Sequence, residues 1–502
     1  MPAELADLTR DRLTELAREH DVPGRSAMTK AELVDALVAR GVTGDVEADE
    51  PQPFSRMAAF RDLAQQRAAG AMVFLPRHLT GHERRRHVRQ TIREDHETRI
   101  SSRSHDAEAK FEKLYGSCFS FFRGTGLLFY RDMAGEDAEM PTVLTLGDVH
   151  PENFGVMPSR DNVPIFGVND FDEAYYAPFT WDLKRGAVGF VLAAEEEGQL
   201  GEKQQRKIVR AFVEGYIEAM RSYATDATEQ AGQMRLDNAP AIIRDLIESA
   251  LEDREAWLDR KYADEQRRGF RADDEHVPIT SRVPQFQEVL DRFVAESGLE
   301  VPERAAGMRV KDVCERHGQG TASLGLPRYY LMIEGPAADG TDDLLIEFKQ
   351  ARRSALAGLV PPSDFEVDGN AERISHAQGV HLVRGDRFYG AVEMDGLSFM
   401  TRERAPYRDS IDLDDLSKKQ WRTYARVCGA SLAQSHALSD EAGLVDHDIE
   451  PDILAAIGPE ELFVEDLLGF AVESAARVRA DHAHFRADHE LGAFRFVDRF
   501  YR

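Results

Sequence analysis

Two kinds of periodicity within one chain predict an α+β protein. Over residues 57–115, 200–300, 415–437 and 459–490, apolar side chains recur at helical spacing. Residues 141–190 and 305–351 instead carry short apolar runs broken by turn formers, the pattern of strands. A third observation sets off a small N-terminal module: residues 44–54 are acidic and Pro-containing and read as a linker. The expected organisation is a helical module at 1–42, a linker at 43–56 and a main domain at 57–502, the last made of 57–300, 301–410 and 411–502.

The 502 residues are 42% hydrophobic and 30% charged, which fits a folded globular protein, and the formal charge of -27 argues against a surface built wholly to embrace nucleic acid. A field of that sign favours the approach of cationic or neutral substrates. Three cysteines, Cys118, Cys314 and Cys428, without a CxxC pair, suggest neither a disulfide framework nor a zinc knuckle. No apolar run reaches the length of a membrane span, so no membrane role and a cytoplasmic location are expected.

Residues 5–41 read as two short helices joined by Asp21-Val22-Pro23-Gly24-Arg25. Thr9 is placed to cap the first, with Leu8 and Leu13 as a staple, and Thr29 with Glu32 forms a capping box for the second. The stretch LTELAREHDVPGRSAMTKAELVDALVARG resembles the Rho termination factor N-terminal and SAP-type modules. That resemblance implies a weak nucleic-acid or protein contact, although six Lys/Arg stand against eight Asp/Glu in residues 1–41. The densest basic run, Glu83-Arg84-Arg85-Arg86-His87-Val88-Arg89, is diluted by the acids after it and reads as a solvated helix face, with phosphate or substrate contact as the other reading.

The chemistry concentrates in residues 145–174. Thr145-Leu146-Gly147-Asp148-Val149-His150-Pro151-Glu152-Asn153-Phe154-Gly155 and Phe166-Gly167-Val168-Asn169-Asp170-Phe171-Asp172-Glu173-Ala174 flank VMPSRDNVPIF, whose apolar runs and central turn formers predict a hairpin that brings Asn153 to Asp170. Phosphoryl transfer needs a carboxylate base and oxygen ligands for Mg²⁺. Asp148 is the candidate base, Asn153 and Asp170 the metal ligands, Asp172 a second metal or water ligand, and His150 a residue that orients the loop. The spacing resembles the GDxHxxN and IDF/IDW motifs of aminoglycoside and choline kinase-like phosphotransferases, the counterparts of the HRDxxxxN and DFG pair of protein kinases.

Phe121-Phe122-Arg123-Gly124, GDVHPENFG, NDFDEAYYAPFTWDLKR and Ile346-Glu347-Phe348-Lys349-Gln350-Ala351 together resemble the bacterial family called domain of unknown function 2252, which implies a kinase-like relative without an assigned substrate. Within that resemblance Asp182 either braces the catalytic loop or makes an ordinary helix-start salt bridge, and Arg123 either contacts phosphate or braces the core.

A nucleotide site also needs glycines that let backbone amides approach phosphates, and a Lys. Gly318, Gly320, Ser323 and Gly325 lie in a turn between expected strands, and Lys349 lies on the strand after them. Glu372, on the helical stretch 370–383, is the candidate partner of Lys349, in competition with Glu347 and Glu393. Because this half follows the catalytic loop, the reading is a circularly permuted, two-lobed protein-kinase-like fold. Residues 391–399 are then the hinge, and Leu432-Ala433-Gln434-Ser435-His436-Ala437 resembles the LAxxHA helix that leads into GDxH, with His436 structural. The expected function is ATP- and Mg²⁺-dependent phosphoryl transfer to an unidentified small molecule or protein. AMP transfer on the same scaffold and a nucleotide-binding pseudokinase regulator are the alternatives, and a dinuclear metal hydrolase is a third class.

Overall fold

The computed structural model describes residues 5, 10–20, 22–25, 28–40, 42, 56–71, 73, 75–102, 104–318, 325–365 and 369–495. The chain divides into two compact units, the first ending at Ala58 and the second beginning at Ala59. Thr9, Leu8 and the proposed linker lie outside the described residues.

In the first unit the helices Arg10–Glu19 and Lys30–Val38 enclose a small core of Leu13, Leu16, Leu33 and Leu37. The Thr29–Glu32 capping box is present: the Thr29 hydroxyl accepts from the Glu32 amide and the Glu32 carboxylate accepts from the Thr29 amide at 2.7 Å. It satisfies backbone donors that a helix start leaves without partners.

The second unit is mixed α+β. Its strands are β1 (Thr142–Thr145), β2 (Phe154–Pro158), β3 (Pro164–Val168), β4 (Tyr175–Pro178), β5 (His276–Pro278), β6 (Val310–Arg316), β7 (Arg328–Ile333), β8 (Leu344–Gln350), β9 (Gly390–Met394) and β10 (Leu397–Arg404). Two antiparallel pairs, β1–β4 and β2–β3, carry the carboxylate motifs. The remaining strands form one antiparallel sheet in the order β5-β6-β7-β8-β10-β9, with the helix Ala371–His381 crossing between β8 and β9 in sequence. One face of that sheet packs Ile346 and Phe348 against Phe286, Leu290 and Phe293 of the helix Val283–Ser297.

The larger core lies under the carboxylate hairpins, where the helices Phe179–Glu196, Glu202–Asp226 and Lys418–Glu441 stack together. The last two touch backbone to backbone. A Cβ on Gly429 would collide with the Phe212 carbonyl, so only glycine admits this approach.

Two expectations are corrected. Residues 391–399 are not a connector but most of the β9–β10 hairpin, paired from Leu397↔Met394 to Thr401↔Gly390. The turn is Asp395-Gly396, both with positive φ (54° and 71°), the two-residue turn whose twist matches that of paired strands. The basic run at 83–89 is a solvated face only in part: Glu83 and Arg86 are exposed, while its other arginines pair within the protein. Arg84, 4% exposed, donates to Asp132 at 2.7 Å and to Asp481 at 2.9 Å, while Arg85 and Arg89 reach Asp488 at 2.8 and 3.1 Å. The run fastens the helix Gly81–Asp95 to the helix Glu460–Glu490.

Replacing Arg84 by Met strands two buried carboxylates. Urea denaturation of Arg84→Met is expected to show a loss of about 3–5 kcal/mol, and a loss below about 1 kcal/mol would mean that the triad behaves as a surface ion pair.

Candidate active site

The segment that carries Asp148 is held from behind by one buried carboxylate. Asp182, in the first turn of the helix Phe179–Glu196, is fully buried and accepts from the backbone amides of Leu146 (2.6 Å) and Gly147 (3.0 Å), while His436 Nε2 lies 3.1 Å from its Oδ2. The other nitrogen of His436 faces the Tyr216 hydroxyl at 2.9 Å. Asp182 therefore braces the loop, and His436 is structural. Gly147 adopts φ 74°, and a Cβ there would strike the Glu173 carbonyl, so the sharp turn that presents Asp148 requires glycine.

Asp148 then emerges toward a cavity of about 770 Å³. Its Oδ1 is clamped by Arg185, from Nε at 2.8 Å and from Nη2 at 2.6 Å. Its Oδ2 has no hydrogen bond among the described residues, His150 Nε2 standing 3.7 Å away. Burial raises the Asp148 carboxyl above its ordinary value, and Asp170 adds to the rise, while Arg185 opposes it. The result is a carboxylate poised nearer neutrality than a surface aspartate. Arg185 is completely buried and lies over the Phe122 ring at 4.2 Å.

His150 is 2% exposed, accepts from the Glu152 amide at Nδ1 (3.3 Å), and burial holds its imidazole neutral, well below the usual range. It orients the turn that carries Asn153. There, Nδ2 donates to the Asp148 carbonyl at 2.8 Å, which leaves Oδ1 without a hydrogen bond among the described residues. The β2–β3 hairpin forms as its turn formers predict, and the Asn169 amide donates to the Asn153 carbonyl at 3.1 Å. Asn153, Asp170 and Asp172 thereby line one cavity with Asp148. Asp170 accepts only from the Asp172 amide, at 3.4 Å.

Lys349 reaches the same cavity from β8 and forms an ion pair with Asp172. Burial works against the charge of Asp172, but Lys349, with Arg402 and Arg328 behind it, keeps its carboxyl below the ordinary range. Asp172 Oδ1 is buried without a partner. Glu372 is exposed on its helix and makes no ion pair with Lys349, which corrects the expected pairing. The buried Glu347 is not the partner either. It is held between Arg402 and Arg328, which keep it ionised against the cost of burial. Gly318 lines the cavity with φ 76°, and Gly325 has φ 81°; Gly320 and Ser323 lie outside the described residues.

Sequence reasoning missed the positive wall. Nine Lys and Arg line the cavity against five Asp and Glu, inside a protein of charge -27. Arg328 sits opposite Lys349, Arg402 opposite Glu347 and Arg404 opposite Leu345, so all face the cleft from adjacent strands. The available signal was the alternation Arg402-Glu403-Arg404, a two-residue charge period on a strand. Arg185 was also legible, three residues after Asp182 and just before the apolar run Gly186–Ala194 of the same helix. Arg123 also lines the cavity, paired with Glu152 and set over the Phe119 ring at 5.5 Å.

Among the described residues, the acidic and histidine ligand atoms that gather within 4.8 Å of one another are those of Asp440, Asp448 and Glu450, not those of the cleft. A metal cage made by the protein alone is thus not formed at Asp148, His150, Asp170 and Asp172. No helix among the described residues is long and apolar enough to cross a membrane. A bacterial family model, described as "Uncharacterized protein conserved in bacteria (DUF2252)", matches residues 103–488. No curated protein and no solved structure matches the chain.

The geometry separates brace from chemistry. In urea denaturation, Asp182→Ala should cost about 3–5 kcal/mol by leaving two buried amides unpaired, whereas Asp170→Ala should stay within about 1 kcal/mol. Equal losses would contradict the division of roles.

Proposed function

We propose that this chain, which belongs to the bacterial domain of unknown function 2252 family, is a Mg²⁺-dependent phosphotransferase of protein-kinase-like, circularly permuted architecture that uses a nucleoside triphosphate. The observation that carries the reading is the convergence in one cavity of Asp148, with one unencumbered oxygen, Asn153 and Asp170 from the two ends of a hairpin, and Lys349 from the sheet. The order of elements supports it. A glycine-containing turn joins β6 to β7, Lys349 follows on β8, a helix precedes β9, and a buried aspartate holds the amides before Asp148.

In this reading the acceptor hydroxyl loses its proton to Asp148 Oδ2 as its oxygen attacks the terminal phosphorus. The new P–O bond forms, the bridging P–O bond breaks, and the nucleoside diphosphate departs with the electron pair. Arg185 fixes the other oxygen of Asp148 and so aims the acceptor side. Lys349 binds phosphate oxygens in exchange for Asp172. Mg²⁺ would fit the oxygens that lack other partners among the described residues, namely Asn153 Oδ1, Asp170 Oδ2 and Asp172 Oδ1, and would supply charge neutralisation at the phosphates. The acceptor is a small molecule or a protein side chain, and AMP transfer would use the same residues with the triphosphate reversed.

Nucleoside triphosphate with Mg²⁺ at ~100 Kd should stabilise the protein by about 2.7 kcal/mol in a thermal-shift titration, and Asp170→Ala and Lys349→Ala should abolish the shift. Absence of any shift with every nucleotide would sink the proposal. The pH dependence has a defined sign. Arg185 lowers the Asp148 carboxyl, so its removal raises that carboxyl further. The acid limb of triphosphate turnover by Arg185→Met should therefore move to higher pH than in the parent, and a shift to lower pH would remove Asp148 as the base.

A further inference from the structure

The cleft face of the six-stranded sheet has two parts with opposite fates. Its apolar residues, Cys314, Tyr330, Met332 and Leu345, are each at most 1% exposed, sealed beneath Trp257, Leu258, Tyr262 and Phe270. Its charged residues stay open to the cavity. Arg328 opposes Lys349, and Arg316 lies one step beyond the Glu315–Tyr329 pair, so cations stand on neighbouring strands about 5 Å apart. Like charges opposed across strands destabilise a sheet, and such a row persists where an anion offsets it.

Partners inside the protein do not fully offset it. Arg404, Arg408 and Lys261 form no ion pair among the described residues, and Arg404 Nε and Arg316 Nε are buried without hydrogen bonds. Burial lowers the Arg408 guanidinium, and repulsion from Arg402 and Arg404 adds to the effect and brings it down to about 9, so it is still charged at neutral pH. Among the described residues that line the cavity there is no aliphatic side chain, and the rings are those of Tyr262, His150 and His276; Leu127 and Leu326 line the adjoining pocket of about 50 Å³ that shares Asp148 and Asp170. Pockets that recognise organic ligands by shape are ordinarily lined with apolar groups.

We infer that the cleft recognises its phosphate donor by the polyphosphate chain and not by the base, so that nucleoside triphosphates of either purine and inorganic tripolyphosphate are bound alike. The inference rests on the phosphotransferase reading and names the donor class for it. The guanidiniums supply planar, paired donors to phosphate oxygens, and the apolar half of the sheet is sealed away from a base, which leaves the Tyr262 ring as the one phenol face that the described residues turn to the cavity.

The test is calorimetry on the full chain with Mg²⁺, using ATP, GTP, tripolyphosphate and adenosine as probes. The expected result is dissociation constants within about threefold for ATP, GTP and tripolyphosphate and no heat with adenosine. Arg404→Gln and Arg408→Lys should weaken all three by similar factors, on the order of tenfold. Tripolyphosphate binding weaker than ATP by about thirtyfold or more, or a comparable gap between ATP and GTP, overturns the inference while leaving the phosphotransferase reading standing. Binding that ignores both Mg²⁺ and Asp170→Ala, or no binding by any probe, overturns that reading and the inference with it. The comparison of ligands on the parent protein needs no variant to fold.

Discussion

Asp182 is a carboxyl group sealed from solvent. Its two oxygens are occupied by the Leu146 and Gly147 amides and by His436, and His436 in turn meets Tyr216 on a separate helix. A carboxylate in that position is tolerable only while every one of those donors stays in place, because an ionised group stripped of partners in an apolar core costs several kcal/mol. The constraint therefore runs outward. The amides fix the start of the catalytic turn, Gly147 lets the backbone reverse against Glu173, and Asp148 is delivered to the cavity at one place and in one orientation. Asn153 copies that orientation through its bond to the Asp148 carbonyl, and the hairpin passes it on to Asp170.

The sheet obeys a different economy. Its cleft face carries charge where most sheets carry apolar residues, and the buried Glu347 serves as the common counter-ion of Arg402 and Arg328. Packing on the opposite face supplies the cohesion that this face lacks: Phe286, Phe293, Phe348 and Phe399 close around one another there. The division is strict because side chains alternate along a strand, so a single strand such as β8 can present Glu347 and Lys349 to the cleft and Ile346 and Phe348 to the core.

What the sequence made legible was local or periodic. The Thr29–Glu32 cap, the β2–β3 hairpin, the long helices and the role of Asp182 all rest on spacing within a few residues or on a motif with a mechanism. What it hid was pairing between distant segments. Arg84 looks like part of a solvated basic face until Asp132 and Asp481 are brought to it, and Lys349 has three acidic candidates nearby in sequence yet pairs with Asp172. Net charge concealed the sign of the cavity. A total of -27 pointed to cationic or neutral substrates, but charge summed over a surface carries no information about nine cations gathered in one cavity. Residues 391–399 were misread for a simpler reason, since Asp395-Gly396 between two short apolar runs is a hairpin signal in its own right.

The Lys349–Asp172 pair has one more consequence. A lysine held by a carboxylate in a cleft is already satisfied, so a ligand that takes it gains only the difference between two partners. A neutral or singly charged molecule gains nothing from the exchange and leaves the pair closed. A ligand with several adjacent anionic oxygens can outbid Asp172, and once it does, the freed carboxylate faces the same region as Asn153 and Asp170. On the proposed function, the resting ion pair is thus a threshold: it would filter visitors by charge density and release a further oxygen ligand only to those that pass.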